Sequence, residues 1–219
     1  AQDSAIGFKD EMQSQGQSVD FDWRGTSAWE QDFKKTSLGG DDINYVDEVD
    51  IQWYTGHGSA NSFTFKSSVD DTSIVPNDAQ WGDLDLEWLN LESCQVLRDT
   101  TGTLDHLGRW GPTFDGLHLL NGFHTNAFCI TGGTGRRFAE YLFPETFLFV
   151  TLRNPLTVQQ AWASMANDLE PAGVRWRSMS AIRDDGVMNF GDHYWGQGNV
   201  GPDIGANERI GWASISGLT

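Results

Sequence analysis

Cysteine is scarce in this chain: Cys94 and Cys129 are its two, among 219 residues. Two thiols in such a length make no disulfide scaffold. No histidine sits at metal-ligand spacing from either, which also argues against a zinc–thiolate site. Basic residues are scarce as well. Fourteen Lys and Arg face 31 Asp and Glu, for a net charge of −17. A nucleic-acid partner needs clustered Lys and Arg to neutralise phosphates, and no such cluster occurs. The same deficit disfavours an anionic membrane surface. No apolar run reaches the roughly eighteen residues that a membrane-crossing helix needs, so no span is expected. Internal repeats and low-complexity tracts are missing too.

What is present is core-forming material. Hydrophobic residues make up 38%, with ten Trp and thirteen Phe, a composition that folds into a globular domain. The length suits one domain. Residues 1–18, polar and rich in Gln and Ser, are expected to form a loose N-terminal arm, and residues 19–219 a single α/β domain. The chain opens Ala1-Gln2-Asp3. A small first residue fits signal-peptidase cleavage, and a secreted or periplasmic location is the expectation. The acid excess suits a solvated surface, a salty milieu, or attraction for basic substrates and cations.

Periodicity supplies the elements. Residues 46–54 alternate Val49, Ile51 and Trp53 with Glu48, Asp50 and Gln52, and residues 84–93 alternate in the same manner, so both read as strands. Further strands are expected at 19–23, 62–66, 117–120, 147–152 and 173–179. Residues 27–35 read as a short helix capped by Ser27 with Glu30 three positions on. Helices are also expected over 133–142 and over 155–168, where Pro155 opens the first turn. Residues 95–115 read as a helix or an irregular excursion, and the tail from 186 as an ordered loop or lid. Strands separated by helices imply a three-layer sandwich with a mainly parallel central sheet. In such sheets ligands bind beyond the carboxyl ends of the strands.

Two strand ends therefore carry the chemistry. Thr55-Gly56-His57-Gly58 follows one strand, and Glu92-Ser93-Cys94 closes another. Alone, such a histidine is a turn residue and such a cysteine a small buried hydrophobe. Together, on neighbouring parallel strands, they bring a nucleophilic thiol and a proton-handling imidazole to one sheet edge. The absence of a side chain on Gly58 permits close backbone approach, and its N–H suits a developing oxyanion.

The sequence Tyr54-Thr55-Gly56-His57-Gly58-Ser59 resembles the histidine motif of metacaspases, gingipains and legumains, and Glu92-Ser93-Cys94 resembles their cysteine motif. The same motif pair also occurs in uncharacterised bacterial proteins that the chain resembles. The likeness to the peptidases implies a caspase-like fold, Cys94 as nucleophile, His57 as general base and acid, and the N–H groups of Gly58 and Cys94 as the oxyanion hole. It further implies Glu92 in a pocket that favours a basic or amide side chain before the cleaved bond. The continuation Gln95-Val96-Leu97-Arg98 departs from the metacaspase pattern, so that pocket wall differs.

Phe123 and His124 follow a third core strand and are candidates to line the pocket, alongside the plainer reading of an ordinary turn. Glu30 or Asp32 is a candidate to orient His57, although a capping or solvated acid is the plainer reading. Asp41, Asp42, Asp47 and Asp50 form an acid cluster that admits calcium, but no EF-hand pattern accompanies it; neither a metal nor another cofactor is otherwise expected. Gly132-Gly133-Thr134-Gly135-Arg136-Arg137 lacks the P-loop ending and reads as a helix start whose arginines pair with acids. Three functions follow. One is a cysteine peptidase acting on a peptide. Another is a cysteine-dependent acyl transferase, cyclase or amidohydrolase acting on a small molecule. The third is a non-catalytic exported binding domain with a Cys94–Cys129 disulfide.

Overall fold

A computed structural model describes residues 2–99 and 104–219. Its helices are α1 (Gln2–Ser14), α2 (His106–Trp110), α3 (Thr134–Leu142) and α4 (Val158–Leu169). Its strands are β1 (Ile51–Ser59), β2 (Ser62–Thr64), β3 (Ser73–Ile74), β4 (Trp88–Ser93), β5 (Leu119–Phe123), β6 (Glu145–Phe147), β7 (Val150–Arg153), β8 (Arg175–Arg183) and β9 (Arg209–Leu218). Part of the excursion expected over 95–115 lies outside the described residues.

The fold is α/β, built on a seven-stranded sheet in the order β3-β2-β1-β4-β5-β8-β9. Parallel pairing is confined to the three central strands, β1, β4 and β5. The outer strands on both sides are antiparallel to their neighbours, so the sheet is mixed rather than mainly parallel. Chain length decides this at one edge. Only Ala60 and Asn61 separate β1 from β2, enough for a hairpin and far too few for a crossover.

Two cores flank the sheet. On one face α1, α3 and α4 pack over Trp53, Trp88, Phe123, Phe138 and Trp162. On the other, Tyr54, Phe63, Trp81, Leu89, Leu91 and Trp110 form the second core under short 3₁₀ turns, loops and α2. All six residues of β4 are buried, as a central strand requires. A buried amide chain pins its register: Asn121 Nδ2 donates to Asn90 Oδ1 at 2.9 Å, and Asn90 Nδ2 donates to Gln52 O at 3.1 Å. A one-residue slip would reverse every side chain on the strand and break this chain.

Several elements differ from expectation. The N-terminal arm is largely helix: α1 lays Ala5, Phe8 and Met12 on the core, with Phe8 stacked 5.5 Å from Trp53. Small residues let α1 approach α3. Ser4 Oγ lies 2.7 Å from Thr134 Oγ1 and accepts from Gly135 N at 2.9 Å. A β-carbon on Gly135 would collide with the Ser4 carbonyl. Residues 19–23 form no strand, and residues 27–35 contain 3₁₀ turns, not an α-helix capped by Ser27. The apolar run 147–152 forms the two strands of a hairpin rather than one strand, and Phe147, Leu148, Phe149, Val150 and Leu152 all face solvent. The tail supplies the long edge strand β9 rather than only a loop. As expected, Arg137 on α3 pairs with acids, Asp168 at 2.8 Å and Glu140 at 3.0 Å.

Candidate functional site

The register of β1 against β4 builds the site. Thr55 lies opposite Glu92 and Gly56 opposite Ser93, the last pair of the ladder. Side chains alternate between faces along a strand. Trp53 and Trp88 mark the face covered by α1, α3 and α4. Alternation therefore brings His57 and Cys94, the next residues along, to that same face at the carboxyl edge. Neighbouring strands lie about 4.8 Å apart, within side-chain reach. His57 is an exposed residue inside β1 rather than beyond its end, because β1 runs on to pair with β2: His57 opposes Thr64 and Gly58 opposes Phe63.

Both glycines of the motif have steric causes on the opposite face. The Tyr54 ring fills the space a Gly56 side chain would need, and its hydroxyl donates to Thr64 O. At Gly58 the space belongs to Ser93 Oγ and Val96. A β-carbon there would also stand 3.0 Å from the Cys94 carbonyl, so Gly58 and Cys94 are neighbours across the strand ends.

Cys94 is the first residue past β4 and is half-buried. Gln95 follows it with φ 61°, a left-handed conformation that side-chain-bearing residues seldom adopt. Three bonds hold this turn: Gln95 N to Thr125 O at 2.8 Å, Gln95 Nε2 to Asn126 Oδ1 at 2.6 Å, and Arg98 Nη1 to Gln95 Oε1 at 2.9 Å. Strain of this kind persists where the surroundings over-determine it, and it concentrates at functional sites.

The loop 124–133 covers the thiol. Cys94 Sγ donates to Ala127 O at 3.5 Å rather than to His57. The same loop brings in Cys129, whose Sγ lies 3.7 Å from Thr55 Oγ1. Burial pushes the Cys129 thiol up, and the nearby Glu92 and Cys94 add to the effect. Both thiols are free, and no disulfide joins them. The loop is latched at Phe128, whose N–H faces both Glu170 oxygens at 3.0 and 3.2 Å. Burial raises that carboxyl to about 7. No local pattern in the sequence marks Cys129 or Glu170 as belonging here, since the crossing of the loop is tertiary.

The expected pocket residues fall elsewhere. Glu92 is wholly buried beneath the edge and accepts from Thr134 Oγ1. Burial raises its pKa. It faces α1 and α3 instead of a substrate. Phe123 is wholly buried, 5.1 Å from the Trp162 ring, and is core. His124 does line a cavity of about 510 Å³, with Gln95, Arg98, Asn126 and Phe128. His57 lines another of about 490 Å³, walled by α1, residues 17–25 and residues 49–56. Asp32 borders this second cavity and Glu30 does not. Asp32 is committed to Trp29 N at 3.1 Å, a capping role. Cys94 lines neither cavity.

The expected calcium cluster does not converge. Asp41 accepts from Asn44 Nδ2 at 2.5 Å, Asp42 from Ile43 N at 3.0 Å, and Asp47 from Gly82 N at 2.5 Å. Asp50 instead meets Asp85 and Glu87. A serine–histidine–aspartate line also occurs: His106 Nδ1 lies 2.6 Å from Asp99 Oδ1, and Nε2 lies 2.9 Å from Ser214 Oγ. Arg177 Nη1 stands 2.7 Å from the same Nδ1 and its guanidinium grips both Asp99 oxygens. The carboxylate is thus committed to arginine, and neither cavity reaches Ser214. This network ties α2 to β8 and β9.

A family model described as a domain of unknown function (DUF6345) matches residues 1–217. No curated protein and no solved structure matches the chain.

Proposed function

The chain belongs to the DUF6345 family, and from that premise and the site geometry we propose that it is a cysteine-dependent peptidase with a caspase-like arrangement of Cys94 and His57. The observation that supports the reading is the β1–β4 register, which ends at Gly56 and Ser93, one residue before His57 and Cys94, and so puts both on the same face of one sheet edge. The left-handed turn at Gln95 supports it. In this scheme the loop 124–133 lifts, freeing Cys94 Sγ from Ala127 O. Thiol-to-imidazole contacts are commonly loose before substrate binds. His57 takes the thiol proton, the sulfur attacks the peptide carbonyl, and His57 returns the proton to the departing amine. Water then hydrolyses the acyl-enzyme. The N–H groups of Gly58 and Cys94 hold the oxyanion.

The substrate path follows the edge of β1. β2 pairs with β1 only over His57 to Ser59, so the preceding residues offer an edge along the cavity that ends at His57. An extended peptide adds to such an edge through main-chain bonds. The lining carries Asp20, Asp22, Asp32 and Asp50 but also Lys9, Arg24 and Lys66, so no strong preference for either charge follows. With Glu92 buried, the preference for a basic or amide side chain loses its support.

The test is modification by an acyloxymethyl ketone or iodoacetamide, alongside cleavage of mixed reporter peptides. Cys94→Ala should abolish cleavage and Cys129→Ala should retain it. His57→Ala should suppress labelling of Cys94. Equal labelling of Cys94 with and without His57 would remove the dyad. A second reading, an amidohydrolase or acyl transferase on a small molecule, draws on the 490 Å³ volume beside His57, within the usual range for small ligands. Turnover of small amides without peptide cleavage would select it.

A further inference from the structure

We propose that Glu30, Asp70 and Asp71 form a binding site for a calcium-type divalent cation. Their ligand oxygens all lie within 4.8 Å of one another. Calcium binds oxygen at about 2.3–2.6 Å, so oxygens on opposite sides of one ion stand about 5 Å apart. Magnesium, at about 2.1 Å, demands a tighter set.

Proximity of acids alone is common on a surface this acidic. Glu30 is what sets this group apart. It is wholly buried, and among the described residues neither carboxylate oxygen has a hydrogen-bond partner. A buried carboxylate without a donor is costly and is retained when a charge or metal compensates it. Lys34 compensates only in part. Its Nζ stands 3.7 Å from Glu30 Oε1, beyond hydrogen-bonding reach, and is held by Asp70 Oδ2 at 2.5 Å. With all three carboxylates ionised, as a bound cation would hold them, one ammonium leaves two negative charges, the complement of a divalent ion. Asp70 and Asp71 are exposed, which gives the ion a way in. Asp71 accepts from Ser73 N at 2.8 Å through Oδ1, which leaves its second oxygen uncommitted by that bond. Backbone carbonyls and water complete such shells in general.

The second carboxylate group differs. In the Asp50, Asp85 and Glu87 set, the buried Glu87 already receives Trp195 Nε1 at 3.4 Å. It therefore serves as the control. The full chain, stripped with EDTA, is titrated with calcium chloride and followed by calorimetry and by thermal unfolding. The expected result is one site and a rise in Tm, with binding weaker by about tenfold for magnesium. Asp71→Asn should abolish the rise and Asp85→Asn should leave it intact. Lys34→Gln, which removes the competing cation, should tighten binding. Glu30→Gln should match Asp71→Asn, and if that buried change prevents folding, the exposed Asp71→Asn still decides. No rise in Tm, or a rise that survives Asp71→Asn, overturns the proposal.

Discussion

Gly58 and Ser93 claim the same space: a β-carbon on Gly58 would fall on Ser93 Oγ, with Val96 Cγ1 2.9 Å away. The contact lies where β4 ends, one residue before Cys94. Gly58→Ala should destabilise the protein by about 1–3 kcal/mol, the usual cost of overpacking. Adding Ser93→Ala should recover only part of that, because Val96 and the Cys94 carbonyl remain. Urea unfolding of the two variants checks the order. Full recovery in the double variant would mean that Ser93 alone sets the spacing.

Glu170 holds the loop that carries the hydrogen-bond partner of Cys94. Its carboxylate receives Phe128 N–H, and the loop so held supplies the carbonyl that accepts from the Cys94 thiol. Glu170→Ala removes the latch. Losing about 1–2 kcal/mol of loop closure raises the open population about five- to thirtyfold. Iodoacetamide should therefore modify Cys94 faster in the variant by a factor of that order. An unchanged rate at Cys94 would show that the loop does not gate the thiol.

What the sequence disclosed follows the range of the forces involved. α4 was legible as a helix but not in its start: Pro155 lies outside it, and Thr157 caps it, its Oγ1 accepting from Gln160 N at 3.1 Å while Gln160 reaches back to Thr157 N. The shared edge of His57 and Cys94 was legible from the two strands, whereas the extension of β1 past His57 was not, because it depends on pairing with β2. α1 was not, since its polar sequence becomes a helix by docking Phe8 and Met12 on the core and Ser4 against α3. Glu92 was misplaced because motif spacing assigns a residue to a strand, whereas its neighbours Thr134 and Ser4 come from distant helices. The run 147–152 read as one strand because apolar periodicity does not show the turn at Leu148 and Phe149 that splits it into a hairpin.

Stability should fall as the medium turns from mildly acid to neutral. Burial raises Glu87 and Glu170 to about 7 from an ordinary value near 4.5. Below 4.5 both carboxyls are protonated, folded or not, and the preference for the folded chain is whole. Between 4.5 and 7 the unfolded chain releases these protons and the folded chain keeps them, so unfolding gains free energy with rising pH. Above 7 the loss levels off. Across that window each such carboxyl costs the folded chain about 1.4 kcal/mol for every pH step of one. In metal-free buffer Tm should decline over that window and then flatten. Glu170→Gln, which cannot ionise, should reduce the slope.

The hairpin tip should tolerate, and profit from, replacement. Phe147 pairs with Val150, which leaves Leu148 and Phe149 as a two-residue turn at φ 45° and 68°. Both φ values are positive, the geometry that favours Asn-Gly in such turns. For a residue with a β-carbon this conformation costs about 1–2 kcal/mol. Leu148 is 74% and Phe149 104% exposed, so little burial offsets that cost. Leu148→Asn with Phe149→Gly should therefore slow amide exchange at the hairpin base and leave the sheet untouched. Faster exchange after the double replacement would mean that the apolar tip gains more from contact with something than it loses in backbone strain.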